Sequence, residues 1–456
     1  MKSRIPRALA IAAAAFNLAA GLAAQGTSIL QPPAFALTLP NYYMTPIGQV
    51  ASLEGGAYVA RTDDASSNWY NPAGLALADK SSVSSSAGTY QILSLVPTDL
   101  QSEDSGGSSQ QVPALVGVVV KKLLHDQRFT LGFAGVRTNS WEQQTDVQID
   151  ELSLTPGRLL SYSADSQFRR SEFSGGVGYA DGGPWRFGGT LAIANTNLHT
   201  NGSLAESIVE SNGLSAGQAS QRVSGSITQL RVTGGAQYQL TPEILLGAIA
   251  RSPGVTLFRS ADYSADAVAS AGDASASFSF FDPKPRFDYK LPFQLVAGAA
   301  LDRGRWELEV DVMFSTGTSS YDLFSSDQTG ILILDDGQGG PPVVEQVPFG
   351  DVVSENRAVF NVAFGGSYAL TENRVWALHF GFHTDYSPVG DADQFFSRVN
   401  LYSATLGVTG TVSGFTAALG FNYQFGDANE VPLAEVLQSD IAVDSLAIIY
   451  SVAYRF

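Results

Sequence analysis

"RWELEVDVMF", Arg305 to Phe314, is the stretch that decides the fold. In a strand, successive side chains point to opposite faces. Trp306, Leu308, Val310, Val312 and Phe314 therefore share one face, and Arg305, Glu307, Glu309 and Asp311 share the other. One face is oily and one is charged. The alternation recurs in "VWALHFGFHTDY" (Val375–Tyr386), in "GFTAALGFNYQF" (Gly414–Phe425), and in the C-terminal run Leu446, Ile448, Tyr450, Val452, Tyr454, Phe456.

A soluble sandwich would bury such faces against each other, and lipid would bury them without a partner sheet. Three features favour lipid. Aromatics cluster near strand ends, as interfacial girdles require. Arg128 to about Asp150 and Trp185 to about Glu210 read as strands far longer than the usual five or six residues. The chain also ends on a strand whose last residue is Phe456, an ending that resembles the assembly signal of outer-membrane barrels.

Composition agrees. Only 15% of the 456 residues are charged, against about 25% in typical soluble domains, and there are 46 glycines and no cysteine. Lys2, Arg4 and Arg7 precede the apolar run Ala8–Ala24, which reads as a secretory signal cleaved near Ala23 or Ala24. Removing those cations takes the formal charge from −17 to −20, which argues against a nucleic-acid partner. Past the signal no apolar run is long enough for a transmembrane helix.

Short links are expected near Leu124–Gln127, Asp181–Pro184, Leu240–Glu243, Asp302–Gly304, Thr371–Arg374 and Val412–Gly414. Long polar connections are expected near Ser94–Gln110, Glu151–Gly157, Ser211–Gly217, Asp266–Pro285, Tyr321–Ser354, Pro388–Ser397 and Gly426–Asp440. Short periplasmic turns alternating with longer external loops give an all-β, antiparallel transmembrane barrel of about 14 strands. Closure removes sheet edges that lipid could not hydrogen-bond.

The division expected is a signal peptide (1–24), an N-terminal plug or hatch (25–80) and the barrel (81–456). Before the first strand, Ala51–Leu75 lacks strand alternation yet carries Tyr58, Val59, Trp69, Tyr70 and Leu75, too much apolar surface for a solvated tail. A barrel this wide has a lumen its own wall side chains cannot fill. A compact plug inside it answers both facts.

The stretch "GGAYVARTDDASSNWYNPAGLA" (Gly55–Ala76) resembles the signature of the FadL family, outer-membrane transporters of long-chain fatty acids with relatives that import aromatic hydrocarbons. Further likeness runs through Leu245–Leu257, Leu291–Val312 and Phe360–Val389. The resemblance implies a hatch in a fourteen-stranded barrel and a hydrophobic ligand that leaves sideways beside a kink in the third strand. It gives Asn71, Pro72, Ala73 and Gly74 as the hatch motif. For the kink, Gly132 and Gly135 in "RFTLGFAGV" are the candidates, because glycine inside a strand permits a bend.

The function implied is passive uptake of hydrophobic small molecules, long-chain fatty acids foremost. A structural or general-diffusion barrel with a non-transporting plug is the alternative. Expected partners are the ligand, outer-membrane lipid and lipopolysaccharide, and the barrel-assembly machinery through the last strand; the barrel is expected to be monomeric. No catalytic residue, metal or cofactor is expected. Serines abound, so their presence is uninformative, no histidine has a persuasive catalytic partner, and His379, His383 and Asp385 share the wet face at spacings of about 13 Å per four residues, which suits lumen polarity better than one ion.

Overall fold

The computed structural model describes residues 38–44, 47–97, 112–121, 126, 128–150, 157–210, 213–348, 350–434 and 437–456. The expected signal (1–24) and residues 25–37 lie outside them. Seven wall strands come first: β1 (Ser82–Pro97), β2 (Val112–Lys121), β3 (Phe129–Asp150), β4 (Gly157–Ala180), β5 (Trp185–Glu210), β6 (Gly213–Gln239) and β7 (Ile244–Arg251). The chain then rises through β8 (Val255–Ala271), turns down β9 (Ala274–Asp282) and passes β10 (Arg286–Phe287). It re-enters the wall as β11 (Gln294–Arg303) and β12 (Trp306–Ser315). Four short strands follow beyond the wall: β13 (Thr318–Ser325), β14 (Thr329–Asp335), β15 (Val343–Pro348) and β16 (Val352–Asn356). The wall is completed by β17 (Val359–Ala369), β18 (Trp376–Asp385), β19 (Asn400–Val412), β20 (Phe415–Ala434) and β21 (Leu437–Arg455).

Each wall strand pairs antiparallel with the next, β7 pairs with β11, β12 with β17, and β21 returns to β1 with Arg455 opposite Ser82. Fourteen strands close the ring. Closure leaves the amphipathic strands of the sequence with one arrangement: Trp306, Val310 and Val312 are exposed outside while Glu309 and Asp311 are buried inside. Outer rings pair at both rims. Trp306 meets Tyr368 and Trp185 meets Tyr238 at the turn end; Phe314 meets Phe360 at the other. Eight steps from Trp306 to Phe314 span about 27 Å along the strand, and less once it is tilted, the height of a hydrocarbon belt. Among the described residues no helix is long and apolar enough to cross a membrane; the strands do so.

The short links at Asp181–Pro184, Leu240–Glu243, Asp302–Gly304, Thr371–Arg374 and Val412–Gly414 stand between strands as expected. Several expected loops are instead strand. β6 already covers Gly213–Gly217, β8 and β9 form a hairpin through Asp266–Asp282, β13 to β16 occupy most of Tyr321–Ser354, and β20 and β21 run through most of Gly426–Asp440. Beyond the hydrocarbon neither face needs to be apolar, so the period-two signal fades while the ladder of backbone hydrogen bonds continues. Most of Ser94–Gln110, Glu151–Pro156 and Leu124–Gln127 lies outside the described residues.

Residues 38–44 and 47–78 lie within this ring. From Ala51 on they fill its turn-side half, and Thr38–Met44 climbs toward the loop side, where Leu39 and Met44 join a buried apolar cluster.

Candidate functional site

The plug is built from short pieces. A 3-10 turn (Ala51–Leu53) leads to Gly55 and Gly56, both at positive φ, where the chain reverses against β18; an ideal Cβ on Gly55 would lie 2.7 Å from the Phe382 nitrogen. One turn of helix, α1 (Ser67–Tyr70), follows, and then a 3-10 helix over Pro72–Leu77. Asn71 caps the latter: its Oδ1 accepts from the Ala73 N–H at 3.1 Å, with Pro72 at the first helical position, where no N–H is needed. Its Nδ2 donates to the carbonyls of Val59 (2.9 Å) and Ala236 (3.0 Å), so one side chain ties together two parts of the plug and strand β6. Pro72, Ala73 and Gly74 are all buried, and a Cβ at Gly74 would stand 2.1 Å from the Thr62 carbonyl oxygen.

The wall accommodates the plug with glycine. Cβ atoms at Gly188, Gly235, Gly247, Gly365 and Gly381 would each fall within 2.6 Å of plug atoms. Gly132 belongs to this belt, facing Leu75 and Asn68, while Gly135 faces outward beneath the Phe173 ring. The β3–β4 ladder runs unbroken through both; its register shift comes at Thr138, just above the point where β2 stops pairing with β3 at Val136.

Two charged layers cross the lumen. In the lower one, Arg61 from the plug is held by Glu54, by Glu309 (Nε to Oε2, 2.9 Å) and by Glu307 (3.5 Å). Glu309 also accepts from the Ala60 N–H, and Asp311 Oδ2 accepts from the N–H groups of Tyr58 and Val59. The carboxylate ladder seen in the sequence thus serves as docking acceptors for plug backbone. Glu54 also meets His379 Nδ1 at 2.6 Å, and His379 Nε2 lies 2.8 Å from Thr409. Burial would push the Glu54 carboxyl up, but Arg61 and His379 beside it hold it below the ordinary carboxylate value.

In the upper layer three buried arginines converge: Arg170 from β4, Arg231 from β6 and Arg251 from β7. Arg231 pairs with Glu172 at 2.9 Å, and Arg251 donates to the Gln294 side chain and the Trp69 carbonyl. Arg170 lies over the Tyr42 ring and donates to Thr138 Oγ1 and the Tyr42 carbonyl. Among the described residues its Nη1 and the Tyr42 hydroxyl have no hydrogen-bond partner of good geometry, and the Tyr289 hydroxyl stands beside the same guanidinium. Asp385 accepts from the N–H groups of Tyr42 and Tyr43. His379 and Asp385 therefore serve different neighbours, and among the described residues no group of three His, Asp or Glu side chains is placed to hold a metal ion.

Above the arginines sits the largest apolar cluster, with Leu39, Trp141, Phe168, Tyr289, Leu291 and Phe396 among its buried members. Below them, a cavity of about 40 Å³ lies between plug and wall, lined by Tyr43, Trp69, Arg251, Asp311 and His383. A water needs roughly 10–15 Å³ on this measure, so the cavity suits a few waters and is too small for cargo. The lumen is shut.

Solved structures were compared with this geometry. A FadL homologue of Pseudomonas aeruginosa superposes with a TM-score of 0.61 at 15% identity, covering 91% of this chain and 100% of that one. The toluene transporter TodX of Pseudomonas putida (TM-score 0.55, 14% identity, 91% and 100% covered) and the toluene transporter TbuX of Ralstonia pickettii (0.54, 14%, 91% and 99%) are similar. The chain has the FadL-type fold. No family model matches the sequence, and no curated protein does. With its outward apolar belt, the FadL-type barrel belongs in the bacterial outer membrane.

The arginine layer was not singled out in the sequence, although a signal exists. Arg231 alternates with Leu230 and Val232, and Arg251 closes "LLGAIAR", so each occupies a lumen-phase position on an otherwise apolar strand.

Proposed function

We propose that this FadL-type barrel takes up hydrophobic small molecules passively, and that its preferred cargo is a long-chain fatty acid. The observation that carries the reading is the floor of the apolar cluster. Phe168, Tyr289 and Phe396 pack edge to face there, with Tyr289 beside the Arg170 guanidinium. A tail taking the place of cluster side chains avoids hydration costing about 0.8 kcal/mol per CH₂. A carboxylate at its foot would accept from Arg170 Nη1 and the Tyr42 hydroxyl, which among the described residues have no partner of good geometry, and from the neighbouring Tyr289 hydroxyl. A plain aromatic hydrocarbon has no use for such donors. The fold of the toluene transporters supports hydrophobic uptake in general, and the arginine favours the acid.

Release follows in this reading where β3 bulges at Thr138 and its β2-side edge is no longer paired by β2. Gly132 and Gly135, just below, leave room there for plug and lipid-side packing.

The test is ligand binding to the purified protein, comparing a sixteen-carbon fatty acid with toluene. Arg170→Gln should weaken fatty-acid binding at least roughly tenfold, the scale of one lost charge-assisted hydrogen bond, and leave toluene unchanged. Equal fatty-acid affinity in both proteins would refute the carboxylate site.

A further inference from the structure

The wall has a second gap, away from β3. β7 stops at Arg251, Ser252–Gly254 breaks the strand, and the chain resumes as β8, paired with β6 from Val255 upward. The other edge of β8 pairs with β9 only from Tyr263. Between Val255 and Asp262 that edge has no partner strand among the described residues. On the far side of the opening stands β13, joined to β10 only through Ser325 and Phe324.

Sequence explains the opening. The segment that would have continued β11 upward beside β8 is "PKPRFDYKLPF", Pro283–Phe293, and Pro283, Pro285 and Pro292 lack the N–H a ladder requires. This segment pairs only with β13, through Arg286 and Phe287, and lies across the gap to β8 as a strap. Gly254 N–H donates to the Leu291 carbonyl, Gln229 Nε2 to that of Tyr289, and Asp288 N–H to that of Leu323. Inward, Phe287, Tyr289 and Leu291 are part of the apolar cluster. Outward, the gap starts where the lipid belt ends: on β6 the outward residues change from Val232 and Leu230 to Thr228, Ser226 and Ser224. At that level β8 exposes Val255, Leu257 and Phe258, the last at 72%, the highest exposure of any large apolar side chain described. An unpaired edge is tolerable there because head groups and sugars can hydrogen-bond to it, which hydrocarbon cannot do.

We propose that this gap is a side portal through which an amphiphile with a hydrocarbon tail passes from the outer-leaflet interface into the apolar cluster, with the Pro283–Phe293 strap as its door. The proposal rests on the uptake reading above and adds the route inward. Phe258, Leu257 and Val255 receive the tail outside, and the strap's own Tyr289 and Leu291 face the cluster inside. The strap is hinged on β13, where it is paired, and is fastened on the β6–β8 side only by separate bonds from Gly254, Gln229 and Arg231. That edge can swing without breaking the barrel.

The chain has no cysteine, so an engineered pair is unambiguous. An ideal Cβ on Gly225 lies 3.0 Å from Phe287 Cγ, near where a cysteine sulfur at 287 would sit, a spacing that disulfide geometry accepts. In Gly225→Cys/Phe287→Cys, oxidation should pin the strap to β6 and abolish most uptake of a sixteen-carbon fatty acid, and reduction of the same protein should restore it. Equal uptake by the oxidised and reduced forms overturns the portal. If wild type itself takes up no fatty acid, the uptake reading falls first and the portal with it. Should the pair not assemble, Phe258→Cys carrying a bulky maleimide serves instead: uptake unchanged by the label overturns the portal, and uptake lost on labelling supports it.

Discussion

The Arg251 guanidinium lies over Trp69, 3.8 Å from the ring centroid, and donates through Nη2 to the carbonyl of the same residue at 2.6 Å. A wall strand thus grips the plug helix by both ring and backbone, with both side chains buried. A desolvated cation–π contact contributes about 2 kcal/mol and a charged hydrogen bond about 1.5–3 kcal/mol.

Arg251→Ala should therefore unseat the plug far more often. A loss of about 3 kcal/mol corresponds to roughly a hundredfold in the equilibrium between seated and released states. Conductance in planar bilayers reads this directly: the variant should show frequent openings where wild type stays closed, and Arg251→Lys should fall between them, keeping charge without the planar fork. An Ala variant as silent as wild type would mean that Arg251 does not hold the plug.

The glycine belt makes a contrasting pair. A Cβ at Gly365 would sit 2.0 Å from the Glu54 carbonyl oxygen, a backbone atom that cannot step aside, whereas a Cβ at Gly135 would meet only the Phe173 ring at 3.0 Å on the lipid side. Gly365→Ala should cost about 1–3 kcal/mol of plug seating, as overpacking does, and open the Arg61 peptide bond to trypsin. Gly135→Ala should leave the plug as protected as in wild type. Equal protection in both variants would show that the plug yields without strain.

What the sequence made legible is the part governed by period two. Trp306 to Phe314 declared a lipid face and a lumen face, and repetition of that pattern was enough for a barrel of the right strand number. Its range ended where apolar and polar residues cease to alternate, as at Ile331–Leu334, so Tyr321–Ser354 read as loop although β13 to β16 occupy most of it. The plug was legible as apolar residues without periodicity. What Asn71 grips was not: Ala236 is 165 positions away, and only the closed ring brings it within 3.0 Å. The arginine layer was hidden for the same reason, since Arg170, Arg231 and Arg251 come from three strands and converge only across the lumen. Gly132 and Gly135 looked alike in sequence; an odd spacing puts one against the plug and the other against lipid.

Asn71 separates capping from cross-linking. Asn71→Asp keeps the oxygen that caps Pro72–Leu77 but removes the donor to Val59 and Ala236, and Asn71→Ala removes both. A lost cap costs about 1 kcal/mol, and a buried carbonyl that loses its donor about 1–3 kcal/mol, less at Val59, whose carbonyl also accepts from Gln237 Nε2 at 3.3 Å. Both variants should make the plug accessible to protease, the Asp form nearly as much as the Ala form. If Asp behaves like wild type, the cap alone matters.

Acid should loosen the plug through Glu54. Its seated carboxyl is held below the ordinary value, because Arg61 and His379 outweigh the burial that would raise it. In a released plug water would return it to about 4.3. A group whose seated value is depressed contributes its stabilisation in full above the released value and loses it as pH falls through the seated one. Seating should thus be insensitive to Glu54 from neutral pH down to about 4.5 and weaken below that. Other carboxyls titrate in the same window, among them Asp64 on the plug, which burial and neighbouring Asp63 push upward and which acts in the opposite sense. The measurement is therefore a difference: conductance against pH for wild type and for Glu54→Gln. The variant should open more often at neutral pH, and the two curves should converge as acid protonates the native carboxyl. Parallel curves at every pH would show that ionised Glu54 contributes nothing to closure.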